Sequence, residues 1–127
     1  MTGKLRVELK ADLEPSLPTL SMDSQKFKQV LLNLTVNALE ASPPGGLVTI
    51  KTTKETGWAN IHVIDRGSGI DMEDEDKVFQ PFFSKKKGGT GLGLPIVKKI
   101  VQAHGGEISF QRNAEAGMTF TVKLPLR

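Results

Sequence analysis

Cysteine and tyrosine are both absent from this 127-residue chain, and tryptophan occurs once. Without cysteine there is neither a disulfide framework nor a thiolate metal site, which accords with a reducing compartment. Aromatics make up only 6% of the residues and no broad basic face is interleaved with rings, so no nucleic-acid partner is expected. No apolar run approaches the roughly 20 residues that span a bilayer, and Met1-Thr2-Gly3-Lys4 lacks the apolar core of a signal peptide. The chain therefore reads as soluble and cytoplasmic. A large charge of one sign is lacking too, with 17 basic against 14 acidic residues and a net charge of +3. The excess is local, at Lys85, Lys86 and Lys87, and favours a small polyanion over a long one. The length suits one domain that buries its own core without staples.

Glycine, by contrast, is plentiful at 13 residues, and its densest run is Gly88-Gly89-Thr90-Gly91-Leu92-Gly93-Leu94. The run leads into the helical pattern Pro95-Ile96-Val97-Lys98-Lys99-Ile100-Val101, with Pro95 suited to the first helical position. Glycines let backbone amides approach a ligand closely, and a helix N-terminus adds partial positive charge, so the stretch is a candidate phosphate site. A plain flexible loop is the alternative. No lysine follows at the Walker A offset, and no strand precedes directly as a dinucleotide fingerprint requires.

In chain order, Leu5, Val7 and Leu9 alternate with polar residues as in a half-buried strand. Ser21 or Asp23 then caps a helix running to about Ala41, where Ser42-Pro43-Pro44-Gly45-Gly46 stops it. On that helix Phe27, Val30, Leu31, Leu34, Ala38 and Ala41 form one apolar face. Beside it Asn33, Asn37 and Glu40 form a polar stripe, flanked on its far side by Leu32, Val36 and Leu39. Carboxamides so placed need partners, and their oxygens are hard ligands suited to magnesium; ordinary surface or core-bonded asparagines remain the other reading.

Strands are expected over residues 47–53 and 58–64, joined by a turn at Glu55-Thr56-Gly57. The second delivers Asp65, followed by Arg66-Gly67-Ser68-Gly69. This is either a simple turn or a carboxylate that accepts a hydrogen bond from a nucleobase amine while Gly67 and Gly69 let the chain pass the ring. The run from Asp71 to Asp76 reads as a solvated helical first turn, and Phe79-Gln80-Pro81-Phe82-Phe83 as a core residue followed by a hydrophobic latch. His62 and His104 read as structural. Two final strands, residues 107–112 and 118–124, flank a hairpin loop at residues 113–117. The order predicts an α+β two-layer sandwich, a mixed and mostly antiparallel sheet covered on one face by about three helical segments.

Five segments, in this order, resemble the ATP-binding catalytic domain of sensor histidine kinases, which shares the Bergerat fold with gyrase, the MutL repair ATPases and the heat-shock chaperone ATPases. Residues 29–38, Gln-Val-Leu-Leu-Asn-Leu-Thr-Val-Asn-Ala, resemble the family's N box. Asp65-Arg66-Gly67-Ser68-Gly69-Ile70 resembles the first glycine box, and Phe79-Gln80-Pro81-Phe82-Phe83 the F box. Gly89-Thr90-Gly91-Leu92-Gly93-Leu94 resembles the second glycine box and Gly117-Met118-Thr119-Phe120 the terminal one. The resemblance runs from about Val7 onward, and its short lid and residues Pro81 to Lys86 are most similar to the nitrogen-regulatory subgroup.

The resemblance implies that Asp65 binds the adenine amine, with Gly67, Gly69, Ile70 and Thr119 around the base. It implies that Asn37 ligates magnesium and that Asn33, also at the nucleotide, is catalytic in place of the glutamate that activates water in the ATPase relatives. Gly89, Thr90, Gly91, Leu92 and Gly93 would present amides to the phosphates, and Lys86 would add charge. Ser84 and Lys85 stand where the subgroup has two threonines. Glu40 stands where many members have lysine or histidine.

The implied whole is a single catalytic domain over residues 1–127, excised from its dimerisation and phosphoacceptor domain. With ATP and magnesium it would pass the γ-phosphate to a histidine there, and a response regulator would receive it indirectly. The fragment would be monomeric, unable to phosphorylate itself, and its parent homodimeric, with membrane anchoring of the parent left open. A serine kinase of the anti-sigma type, an ATPase switch and a bare nucleotide-binding module are the alternatives.

Overall fold

A computed structural model describes residues 8–12, 24–43, 45–67, 69, 72–80 and 93–125. Its five strands are β1 (Glu8–Asp12), β2 (Leu47–Glu55), β3 (Trp58–Ile64), β4 (Glu107–Arg112) and β5 (Met118–Pro125). They lie in the order β1-β2-β3-β5-β4. Two α-helices, α1 (Ser24–Ala41) and α2 (Gly93–Ala103), and a one-turn 3₁₀ helix (Met72–Asp74) complete the described elements. The mixed sheet is as expected. β1 pairs with β2 in parallel, because the intervening α1 makes the connection a crossover, while every other pairing is antiparallel.

The described part of the first strand begins later than the alternation of Leu5, Val7 and Leu9 suggests; Leu5 and Val7, like the helix caps Ser21 and Asp23, lie outside the described residues. β2 continues to Glu55, leaving a two-residue turn, Thr56-Gly57, with Gly57 at φ 82. A positive φ at this position matches the twist of the flanking strands.

α1 buries Val30, Leu34 and Ala38, and α2 buries Val97, Ile100 and Val101. Both sets pack with Val48, Ile61, Val63, Phe120 and Val122 of the sheet in one core. Each large apolar side chain so buried contributes about 1.5–3 kcal/mol. Phe79 joins this core through Phe110, whose ring centroid lies 5.9 Å away, and Phe110 in turn stacks on Phe120 at 5.5 Å. The acidic run makes the expected turn at Met72–Asp74 with Glu73 and Asp76 exposed, but Asp74 is buried, and Glu75 pairs with Arg112, Nη2 to Oε2 at 2.9 Å.

The opposite face of the sheet is polar. There His62 bridges three strands: its Nε2 is 3.0 Å from Thr53 Oγ1 on β2 and its Nδ1 is 3.0 Å from Thr121 Oγ1 on β5. Burial, and then the Lys51 ammonium, lower its pKa, with Glu55 opposing them. The folded state thus prefers neutral His62. The stability this supplies is whole above the unfolded value of about 6.5 and declines as pH falls from there through the lower folded value. The stability advantage of the native chain over His62→Gln is therefore expected to shrink between pH 8 and pH 5 in urea titrations. A constant difference would show that the imidazole is not the titrating group.

Candidate functional site

β3 ends at Ile64, and the next residue, Asp65, is 3% exposed. Its carboxylate is held from two sides: Oδ1 accepts from the Gly67 N–H at 2.9 Å and from the Met118 N–H at 3.3 Å. The first is a local turn in which an Asp side chain bonds the backbone two residues on. Among the described residues no donor reaches Oδ2 within hydrogen-bond distance, so one oxygen anchors the group and the other is available to a ligand. The main chain is fixed as well, the Asp65 N–H donating to Met118 O at 3.0 Å.

Two glycines permit this packing. A Cβ on Gly67 would lie 2.1 Å from the Ala41 carbonyl oxygen, so the C-terminus of α1 abuts the turn directly. A Cβ on Gly117 would lie 2.1 Å from the Asp65 carbonyl oxygen, and Gly117 has φ 87 besides. Only glycine satisfies both demands. Gly69, at φ 80, faces Met118 Sδ and Arg112 Nη1, which would lie 3.6 and 3.4 Å from a Cβ there.

Thr119 departs from its expected place. Along β5 the side chains alternate, with Met118, Phe120, Val122 and Leu124 in the core. Thr119 therefore points to the other face. Its hydroxyl donates to Asn113 Oδ1 at 2.6 Å. The residue beside Asp65 and Gly69 is Met118, 2% exposed.

The two asparagines of α1 are both half-buried. Asn33 Nδ2 lies 3.5 Å from the carbonyl oxygen of Gly93, a long bond that joins α1 to the first residue of α2. Gly93 is thus helical, not part of a loop before Pro95. Proline is tolerated throughout the first turn, so the helix starts two residues ahead of it. The unpaired amides of that turn face away from the helix body with partial positive charge. Along α1 the sequence Ala41, Asn37, Asn33 runs from the Asp65 turn to the α2 N-terminus, a rise of about 12 Å for eight residues.

Ile70, Lys86, Gly89, Thr90, Gly91 and Leu92 lie outside the described residues. Among the described residues no three His, Cys, Asp or Glu side chains gather as a metal site. No helix among the described residues is long and apolar enough to cross a membrane.

Residues 22–127 match the family model described as histidine kinase-, DNA gyrase B-, and HSP90-like ATPase. Sporulation kinase C of Bacillus subtilis (strain 168) is 44% identical over 105 residues, covering 83% of this chain and 24% of its own. The sensory histidine kinase/phosphatase NtrB of Klebsiella oxytoca is 40% identical, covering 95% of this chain and 38% of its own. A solved structure, full-length ShkA in complex with AMPPNP, superposes with a TM-score of 0.84 at 27% identity, over 95% of this chain and 26% of that one. The chain thus spans about a quarter to two-fifths of these relatives' lengths.

Proposed function

The chain belongs to the family of histidine kinase-, DNA gyrase B-, and HSP90-like ATPases, and from that membership we propose that it is the catalytic domain of a sensor histidine kinase, binding magnesium ATP and passing the γ-phosphate to a histidine on a separate helical domain. The observation that carries the reading is the Asp65 carboxylate, anchored through Oδ1 by two backbone amides and left with Oδ2 for a base amine. The AMPPNP held by ShkA supports the same ligand class.

In this reading Asp65 selects the base, and Gly67 and Gly69 admit its plane. About two turns of α1 away, beside Asn33, the first amides of α2 bind phosphate oxygens. Asn37 would hold a bound magnesium through its carboxamide oxygen, and the ion would supply neutralisation of phosphate charge. Asn33 orients the phosphate end. Its carboxamide cannot take a proton from water as a carboxylate can, which favours transfer over hydrolysis. The remaining work is positioning and charge stabilisation, since an imidazole acceptor brings its own nucleophilic nitrogen. Ile70, Lys86, Gly89, Thr90, Gly91 and Leu92 belong to the same proposal through the motifs that contain them. So do a response regulator as the eventual phosphate acceptor, a cytoplasmic location, and a homodimeric parent.

Calorimetric titration with AMPPNP tests this reading. Binding is expected with magnesium, weakened about tenfold or more by a chelator. In Asn37→Ala the two conditions are expected to converge. Absence of binding at millimolar ligand, or binding indifferent to magnesium in the native chain, would sink the reading.

A further inference from the structure

Asp65 is fixed partly by a residue 48 positions away in sequence. Asn113, in the loop between β4 and β5, donates from Nδ2 to the Asp65 carbonyl oxygen at 2.8 Å and to the Ala116 carbonyl oxygen at 3.1 Å. Its Oδ1 accepts from the Thr119 hydroxyl at 2.6 Å, and its backbone N–H donates to Gly117 O at 3.0 Å. One side chain thus ties the peptide of Asp65 to both ends of the β4–β5 loop. The carbonyl of Asp65 is held by Asn113, its N–H by Met118, and one carboxylate oxygen by Gly67 and Met118. With these points set, the Cα–Cβ direction is set too, and with it where Oδ2 stands.

We propose that Asn113 is a positioning residue for base recognition, aiming the Asp65 carboxylate at the exocyclic amine of the nucleotide; the inference rests on the reading of Asp65 above. Asn113 does not touch the base. Losing its amide removes one of the restraints on the Asp65 peptide, so Oδ2 wanders and the base hydrogen bond weakens. Groups that bind phosphate are unaffected, because they lie beside Asn33, about two turns of α1 from the Asp65 turn.

The test separates aiming from general packing. AMPPNP binding is compared with that of purine riboside triphosphate, which lacks the 6-amine, for the native chain, Asn113→Ala, Asn113→Asp and Asp65→Asn. Glu115→Ala in the same loop serves as a control, and melting temperatures are recorded throughout. Asn113→Ala is expected to weaken AMPPNP about tenfold and leave the amine-free nucleotide unchanged. Asn113→Asp keeps an acceptor for Thr119 but cannot donate to the Asp65 carbonyl, and is expected to lose as much as the alanine. In the Asp65→Asn background Asn113→Ala should add nothing.

Equal losses for both nucleotides, or native affinity in Asn113→Asp, would overturn the inference and leave the reading of Asp65 intact. Unchanged AMPPNP binding by Asp65→Asn would overturn both.

Discussion

Asp65→Asn is expected to weaken AMPPNP binding at least about 100-fold while leaving the fold in place. The asymmetry follows from the bonds already made on the carboxylate. Oδ1 accepts from the Gly67 and Met118 N–H groups, so an asparagine here must place its oxygen at the same point to keep them paired. Its NH2 then occupies the other position. Two amide hydrogens would there confront the hydrogens of the base amine, replacing an acceptor with a donor in a nearly water-free setting. The loss combines a charge-assisted hydrogen bond, about 1.5–3 kcal/mol, with the burial of groups left unpaired. Purine riboside triphosphate should bind the native chain and the variant alike. A melting temperature within a few degrees of native, with native AMPPNP affinity, would mean that the base does not meet this carboxylate.

Gly117→Ala is expected to destabilise the domain by about 3 kcal/mol, lowering its melting temperature by roughly 10 °C. Two effects add. The left-handed backbone at φ 87 disfavours any Cβ by about 1–2 kcal/mol, and the Cβ would lie 2.1 Å from the carbonyl oxygen of Asp65, which must move. Gly57→Ala is the matching control, since Gly57 has φ 82 but nothing within 4 Å of its Cβ position. It should show only the backbone part, about 1–2 kcal/mol. Because the displaced group is Asp65 itself, Gly117→Ala should also weaken AMPPNP binding, whereas Gly57→Ala should not. Equal melting temperatures for the two variants would refute the steric account.

Much of this arrangement is legible in the sequence because its causes are local. The spacing of Phe27, Val30, Leu34 and Ala38 defines the buried face of α1, and Trp58 to Ile64 read as a strand that ends in front of Asp65. What was less legible depends on strand phase or on distant partners. Counting back by two from Leu124, Val122 and Phe120 puts Met118 on the core face and Thr119 opposite, a strand phase that motif resemblance does not carry. Gly93 belongs to α2 because proline restricts a helix less in its first turn than a boundary drawn at Pro95 assumes. Asn113 carried no such signal. In sequence it is one polar residue in a hairpin loop, and only the closing of β5 against β3 brings it to the Asp65 carbonyl. Asp74 is similar: in a run where Glu73 and Asp76 are exposed, nothing local marks Asp74 as the residue that the fold buries.

The contact between Gly67 and the Ala41 carbonyl gives α1 the character of a gauge. The C-terminal end of the helix abuts the turn that carries Asp65, and about two turns back along it Asn33 joins it to Gly93 of α2. Its internal hydrogen bonds fix both separation and rotational phase, at about 1.5 Å and 100° per residue. Loops elsewhere can lengthen without disturbing the span between the Asp65 turn and the α2 N-terminus. A single residue inserted between Asn37 and Ala41 would instead turn both carboxamides a quarter-circle off their line. The tolerance of this domain to insertion is thus set by one stretch of helix, Asn33 to Ala41, which keeps the Asp65 turn and the α2 N-terminus in register.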